Sequence, residues 1–179
     1  MKTLYTDEQL RQGVQRMADE IRQHYQGRPL TIVGVLIGSV VFLADLIRQL
    51  NIPLRVGLVQ ARSYRNGSTR PGPLVINIDV LSNDVRGRDV LLVDDIFDTG
   101  NTLWELLPQI DELNPTSVRT AVLLRKADRC QTPIKPDFVG FDIPNAFVVG
   151  YGLDYHDMYR NLPYLAVLEA NELEEDANQ

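Results

Sequence analysis

The sequence predicts an α/β fold, a doubly wound and mainly parallel sheet. Apolar runs at 30–36 and 90–93 have the length and composition of strands buried on both faces. They alternate with segments whose apolar residues recur at helical spacing, which is typical of βαβ units. The chain of 179 residues fits a single domain, 1–179. Within it, the irregular stretch at about 126–163 is predicted to form a small hood subdomain over the carboxyl edge of the sheet.

Each element is predicted from its local pattern. A helix from Thr6 to about Tyr25 has one apolar face, and Thr6 with Gln9 forms a capping box at its start. The chain from Met1 is predicted to lead straight into this helix. A central strand begins at Val90 and is followed by a helix with apolar residues at helical spacing. The remaining elements are a helix at 40–50 and strands at 30–36, 54–60, 74–80 (an exposed edge), 117–124, 137–140, 147–151 and 164–168.

Composition excludes several classes of protein. The net charge of −6 argues against a partner that is a nucleic acid or an anionic membrane. No apolar run approaches the roughly 20 residues of a membrane span, and the N-terminus does not read as a signal peptide. A single cysteine, Cys130, rules out an internal disulfide, and with only two histidines it disfavours zinc. We therefore expect a cytoplasmic protein that binds neither nucleic acid nor membrane.

The most informative stretch is the end of the central strand. Asp94 and Asp95 follow its apolar run, and then come Asp98, Thr99-Gly100-Asn101-Thr102 and an amphipathic helix. A helix N-terminus with free N–H groups suits a phosphate. Carboxylates at the end of a strand can hold ribose hydroxyls or Mg²⁺. An apolar strand followed by two acids also occurs in receiver domains and Walker-B strands, but the loop favours a sugar-phosphate site and no P-loop motif is present.

Three other stretches allow two interpretations each. Gly38 and Ser39 form a strand-to-helix turn that is either an anion site or a plain connection. The arginine-rich stretch 61–73, with Ser63 and Tyr64, is either a solvated hairpin or a mobile lid over a charged ligand. Lys126, in a basic strand exit, is either a ligand-binding residue or simply solvated.

The central stretch resembles the phosphoribosyl-pyrophosphate (PRPP) signature of the type I phosphoribosyltransferases: a short apolar strand, two acids, two variable residues, then an acid with Thr-Gly. The segments 36–50, 62–64, 126 and 135–160 look like the hypoxanthine-guanine branch of that family, and 135–160 is the most diagnostic of them. One position departs, because Ile37 stands where many relatives have a lysine and cannot supply its charge. The resemblance implies a Rossmann-like fold with a hood and a homodimer or homotetramer.

The resemblance also implies roles for individual residues. Asp98 is the candidate acid/base beside N7 of the purine. PRPP or nucleotide contacts fall on Asp94, Asp95, Thr99, Gly100, Asn101, Thr102, Gly38, Ser39, Ser63, Tyr64 and Arg160. Purine contacts fall on Lys126 at the 6-oxo group, Phe147 by stacking, Val148 by its backbone, and Asp154. The implied metal ligands for Mg²⁺ are Asp94, Asp95 and Asp154.

The implied activity is transfer of the 5-phosphoribosyl group from PRPP to N9 of hypoxanthine or guanine, giving IMP or GMP and pyrophosphate. Two alternatives stay open. The same enzyme class could prefer xanthine, which depends on contacts at the purine 2-position. A PRPP-fold regulator that binds RNA would need a basic face, and the acidic charge and the purine-type stretch argue against it.

Overall fold

The computed structural model describes residues 1–60, 78–169 and 172. The helices are α1 Asp7–Tyr25, α2 Val40–Leu50, α3 Ile78–Val85 and α4 Asn101–Asp111, with a 3-10 turn at Ala127–Arg129. The strands are β1 Lys2–Tyr5, β2 Leu30–Leu36, β3 Leu54–Gln60, β4 Asp89–Phe97, β5 Ser117–Arg125, β6 Phe138–Asp142, β7 Val148–Val149 and β8 Leu165–Val167.

The predicted parallel sheet is confirmed. Five strands lie in the order β3-β2-β4-β5-β6, and every neighbouring pair is parallel. From β2 the chain continues to β3 on one side, and from β4 it continues to β5 on the other. The gap between β2 and β4 is therefore the topological switch point, where open α/β sheets bind ligands. Pairing of β2 with β4 stops at Gly34 and Val93, so Asp94 and Asp95 lie just beyond it.

Helices cover both faces of this sheet. One apolar cluster joins α1 and α2 to alternate sheet residues such as Ile32 and Leu91. A second cluster joins α3 and α4 to the intervening residues, including Val33 and Leu92. Because strand side chains alternate between faces, each central strand contributes to both layers and must be apolar throughout. This explains the continuous apolar runs of β2 and β4.

The local signals around α1 are confirmed. The N-cap Thr6 accepts a hydrogen bond from the Gln9 backbone at 3.3 Å, and Thr6 N donates to Gln9 Oε1 at 2.9 Å. The helix ends at Gln26 in the left-handed region, and Gly27 follows with φ of 79°. The reciprocal cap at the start of the helix and the left-handed residues at its end each involve only residues that are close together in sequence.

Two predicted elements are wrong. The edge strand predicted at 74–80 is contradicted at 78–80, which begin α3; residues 74–77 lie outside the described part of the chain. Leu81 and Val85 are one helical turn apart and both buried, and Leu81 packs directly on the bare Cα of Gly57. The N-terminus does not lead straight into α1, because Lys2–Tyr5 form β1.

A second, smaller sheet has the antiparallel order β1-β8-β7. Lys2 pairs with Val167, and Val167 pairs in turn with Val148. This sheet joins the first and last strands to β7, whose first residue, Val148, directly follows the predicted base-stacking residue Phe147. Among the described residues, no helix has the length and apolar character required to cross a membrane.

Candidate active site

Two adjacent carboxylates mark the switch point. Asp94 is 5% exposed, and its Oδ1 accepts a hydrogen bond from the Asp95 backbone N–H at 2.9 Å. Burial, and then the negative charge of Asp95, raise the pKa of Asp94 well above its usual value. Burial also raises the pKa of Asp95, and the charge of Arg160 opposes that shift. A buried pair of acids is therefore disposed to receive a cation or hydroxyl donors.

The loop after β4 leads into a helix start with no side-chain cap. Gly100, with φ of 87°, is the cap residue of α4 and has no side chain to accept a hydrogen bond. Thr99 Oγ1 lies 3.4 Å from Asn101 N, which is a long contact. The first N–H groups of α4 and the hydroxyls of Thr99 and Thr102 thus surround a place suited to an anion.

The turn after β2 lies directly against the acids. A Cβ at Gly38 would overlap Asp95 Oδ2, and a Cβ at Gly152 would overlap the carbonyl oxygen of Gly38. The turn is therefore held between the central strand and the loop after β7. Ser39 is fully buried and its hydroxyl donates to the carbonyl oxygen of Val35, so this hydroxyl is already engaged. The Leu36–Ile37 peptide bond is cis, and the Ile37 side chain is exposed.

Asp98 lies between two cations. Lys126 Nζ donates to Oδ2 at 3.2 Å, and Arg129 Nε donates to Oδ1 at 2.9 Å. Burial by itself would raise the pKa of Asp98, but the hydrogen bonds and charges of Arg129 and Lys126 outweigh it, and the net effect lowers the pKa. Asp98 is therefore ionised at neutral pH. Lys126 is only 8% exposed, which disfavours the interpretation as a simply solvated lysine.

A pocket of about 230 Å³ opens beside these groups. Its lining consists of Asp95, Ile96, Asp98, Lys126, Phe147, Val148, Leu153 and Asp154. Phe147 is 43% exposed, and its ring meets Tyr155 edge-on at 5.3 Å, which leaves a ring face available for stacking. A larger groove of about 460 Å³ lies around Trp104, but Asp111 is its one charged residue among the described lining. The smaller pocket is where charged groups converge.

Arg160 connects the loop after β7 to this pocket. Its Nη1 donates to the Gly152 carbonyl at 2.9 Å, and its Nη2 pairs with Asp154 Oδ1 at 2.9 Å and with Asp157 Oδ1 at 3.1 Å. Asp154 therefore shares the positive charge of Arg160 with Asp157 in this arrangement. Within the described residues, no three His, Cys, Asp or Glu side chains form a ready metal cluster. The buried pair Asp94 and Asp95 fits Mg²⁺ better, because Mg²⁺ binds to one or two carboxylates and takes other oxygens from substrate and water.

The structure thus brings most of the predicted site residues to one edge of the sheet. Ser63 and Tyr64 fall outside the described residues. Sequence reasoning missed Arg129, although it follows Lys126 by three residues in the same basic strand exit. It also missed the contact of Gly152 with Gly38, for which the sequence has only a glycine after an apolar run.

Comparison with known proteins is consistent with this geometry. The phosphoribosyl transferase domain model matches residues 1–156. The chain belongs to the phosphoribosyltransferase family.

Similar proteins show to which branch of the phosphoribosyltransferase family the chain belongs. The hypoxanthine-guanine phosphoribosyltransferase of Lactococcus lactis is 39% identical over 168 residues, which are 94% of this chain and 91% of that one. The hypoxanthine phosphoribosyltransferase structure of Staphylococcus aureus is 35% identical with a TM-score of 0.88, covering 96% of this chain and 92% of that chain. Within the family, the chain belongs to the hypoxanthine-guanine phosphoribosyltransferases.

Some relatives are much longer. The bifunctional protein TilS/HprT of Listeria innocua is 39% identical over 94% of this chain, but the match spans 26% of that protein. The chain thus spans about a quarter of the length of those relatives.

Proposed function

We propose that this protein is a purine-salvage enzyme that transfers the 5-phosphoribosyl group of PRPP to N9 of hypoxanthine or guanine. The products are IMP or GMP and pyrophosphate. The observation that carries the proposal is the convergence of Asp98, Lys126 and Phe147 on one pocket, beside the buried acids at the end of β4. A flat base requires an aromatic face and a few fixed polar contacts, and this pocket offers both.

The Asp98–Lys126 pair matches one edge of an oxopurine. Lys126 Nζ and Asp98 Oδ2 are 3.2 Å apart. The purine atoms O6 and N7 are also about 3 Å apart, close enough for one bidentate donor to span both in DNA. Lys126 can therefore donate to O6 while Asp98 accepts from N7–H. Adenine offers an amino group at position 6 and would leave Lys126 without an acceptor, so the pair favours oxopurines.

The ribose phosphate fits the adjoining loop. In this proposal the 5′-phosphate binds to Thr99, Gly100, Asn101 and Thr102 at the start of α4. The ribose hydroxyls face Asp94 and Asp95, whose burial disfavours two bare charges. The turn at Gly38 and Ser39 would contact pyrophosphate through its backbone, because Ile37 has no charge and the Ser39 hydroxyl is already bonded.

Mg²⁺ is the proposed cofactor: Asp94 and Asp95 would hold it, and it would supply positive charge that stabilises the leaving pyrophosphate. Arg160 would add a second positive charge there. Asp154 pairs with Arg160 at 2.9 Å, so its proposed role as a ligand for a further Mg²⁺ requires that this ion pair rearrange. Val148 lies in β7 beside the base pocket, where its backbone would contact the purine edge.

The chain's residues then act at two atoms of the base. As N9 bonds to C1′ and the bond from C1′ to pyrophosphate breaks, the N7 proton passes to the Asp98 carboxylate. Asp98 is ionised and can accept this proton. Its lowered pKa makes it a weak base until Lys126 moves to O6, because one of its two cationic partners is then lost. Lys126 stabilises the charge on O6, and Phe147 holds the ring plane. A closed pocket would limit hydrolysis of PRPP by water.

Further parts of the proposal concern the whole protein. We propose that 126–163 act as a hood over the sheet edge within a single domain, and that Ser63 and Tyr64, which lie outside the described residues, contact PRPP or the nucleotide. A homodimer or homotetramer in the cytoplasm is also proposed. A hypoxanthine phosphoribosyltransferase structure of Trypanosoma cruzi, with a TM-score of 0.89 and 36% identity, addresses the role of the C-terminal region in oligomeric state and activity.

The direct test is an assay with purified protein, Mg²⁺ and PRPP. Hypoxanthine, guanine, xanthine and adenine are supplied separately, and nucleotide and pyrophosphate are measured together. We expect IMP and GMP with equimolar pyrophosphate, and little AMP. Turnover fastest with xanthine would establish the xanthine-preferring alternative, and consumption of neither hypoxanthine nor guanine would refute the proposal.

Replacement of Phe147 by alanine should weaken base binding. Aromatic stacking contributes about 1–3 kcal/mol per base, which predicts a KM for hypoxanthine about 5- to 150-fold higher, with little change in the KM for PRPP. Steady-state kinetics with each substrate varied in turn measures both constants. Trp104→Ala is the matched control, because Trp104 is 52% exposed compared with 43% for Phe147 and lies away from the pocket. Equal effects of the two variants would contradict the stacking role.

A further inference from the structure

Arg129 forms the second cationic contact of Asp98, and no role implied by the sequence uses it. Its Nε donates to Oδ1 at 2.9 Å, while Lys126 occupies Oδ2 at 3.2 Å. The two oxygens of one carboxylate therefore have different partners. The Arg129 side chain is 44% exposed, whereas that of Lys126 is 9% exposed, so the two cations approach from the solvent side and from the buried side.

The backbone holds Arg129 in this position. The 3-10 turn Ala127–Arg129 is closed by a hydrogen bond from Arg129 N to the Lys126 carbonyl at 3.0 Å. Lys126 directly precedes this turn and Arg129 ends it, and both side chains reach the Asp98 carboxylate. Gln131 N donates to the Thr99 carbonyl at 2.9 Å, and the Thr132 side chain packs on Gly100. The segment that carries Arg129 is thus attached to the loop that follows Asp98.

The proposed reaction makes different demands on the two cations. Lys126 must direct its ammonium to the 6-oxo group when the base binds, which weakens its hold on Asp98. Arg129 has no such second task, because its contact is with the other oxygen. A carboxylate held through Oδ1 keeps Oδ2 aimed into the pocket, which favours a near-attack geometry for the N7 proton.

We propose that Arg129 is a positioning residue that keeps Asp98 oriented through Oδ1 while Lys126 engages the 6-oxo group of the purine. This inference rests on the proposed function. It adds a residue that acts through Asp98 and does not touch the substrate. The lowered pKa of Asp98 agrees with it, since Arg129 is the first of the two hydrogen-bond donors that lower it. The other charged groups lining the same pocket are Asp95 and Asp154.

The test is a double-mutant cycle with Asp98→Asn. We expect Arg129→Ala to lower kcat for hypoxanthine about tenfold, a modest factor because the pair is partly solvated. The KM for PRPP should stay within about twofold, since Arg129 is placed away from the phosphate site. In the Asp98→Asn background, Arg129→Ala should change kcat less than about twofold, because the carboxylate through which it acts is gone. General acid–base catalysis supplies roughly 10² to 10⁴, so the residual rate of Asp98→Asn is measurable with radiolabelled hypoxanthine.

Two further variants separate charge from structure. Arg129→Lys should retain more activity than Arg129→Gln, because only the lysine keeps the positive charge. Arg119→Ala is the matched control: Arg119 pairs with Asp137 on another part of the sheet, with side-chain exposures of 45% and 26% compared with 44% and 32% for Arg129 and Asp98. We expect Arg119→Ala to leave kcat unchanged, and thermal unfolding of all variants reports on folding.

The outcomes are distinct. An Arg129→Ala enzyme as active as Arg119→Ala would overturn the inference, and so would an equal loss in the native and Asp98→Asn backgrounds. Equal activities of Arg129→Lys and Arg129→Gln would overturn the role of its charge. Absence of IMP formation by the unmodified protein would instead refute the proposed function, so the two failures are separable.

Discussion

Replacement of Asp98 by asparagine is expected to lower kcat for hypoxanthine by about 10² to 10⁴, the usual contribution of a positioned acid or base. Asparagine has nearly the shape of aspartate but cannot accept the N7 proton as a carboxylate does. The dissociation constant for PRPP with Mg²⁺ should change little, because Asp98 faces the base pocket with Lys126 and Arg129 as its partners. Single-turnover kinetics and calorimetric titration with PRPP measure the two quantities separately.

The pH dependence of kcat/KM provides a second test of the role of Asp98. The pKa of Asp98 is depressed in the folded protein by Arg129 and Lys126, despite burial that would raise it. A depressed pKa keeps the carboxylate ionised from neutral pH down to the acid range, and protonation occurs only as the pH falls through that lowered value. We therefore expect no loss of kcat/KM attributable to Asp98 between neutral pH and pH 5.

Equal losses of PRPP binding and of turnover in Asp98→Asn would contradict its assignment as the proton acceptor.

The second large effect is expected at Lys126. Replacement by methionine keeps the length of the side chain and removes its charge and its donors. A hydrogen bond to or from a charged group contributes about 1.5–3 kcal/mol, so kcat/KM for hypoxanthine and guanine should fall about 10- to 150-fold. Adenine should be affected much less, because Lys126 makes no favourable contact with its amino group. Selectivity for oxopurines over adenine should therefore decrease by nearly the same factor.

Steady-state comparison of hypoxanthine, guanine and adenine measures this selectivity. Lys135→Met provides the control, because Lys135 is exposed and lines a separate cavity with Pro133 and Pro136. A Lys126→Met enzyme that keeps its full kcat/KM for hypoxanthine would place the 6-oxo group elsewhere in the pocket. An equal loss of kcat/KM for adenine would show that Lys126 stabilises the pocket and does not discriminate between bases.

Most elements were predictable because their signals are local. The capping residues of α1 and the apolar runs of β2 and β4 are short contiguous patterns, and the structure confirms them. The edge strand predicted at 74–80 failed at 78–80 because the alternating pattern there continues into Ile78, Leu81 and Val85, which recur at helical spacing. Burial of Leu81 against Gly57 decides for the helix, and this contact joins residues far apart in sequence. The strand β1 was missed for the same reason, since Lys2 pairs with Val167.

By itself the sequence determined the parallel sheet and the contiguous PRPP-like stretch, because the acids, the loop and the helix start are adjacent along one segment. Only the tertiary structure decided which groups face Asp98. Lys126 and Arg129 lie 28 and 31 residues further along the chain, and they reach Asp98 because β5 pairs beside β4 and the 3-10 turn Ala127–Arg129 follows directly after β5 and Lys126. Packing likewise placed Gly152 on Gly38. Local pattern specifies a strand or a cap, whereas an ion pair across strands depends on which strands become neighbours.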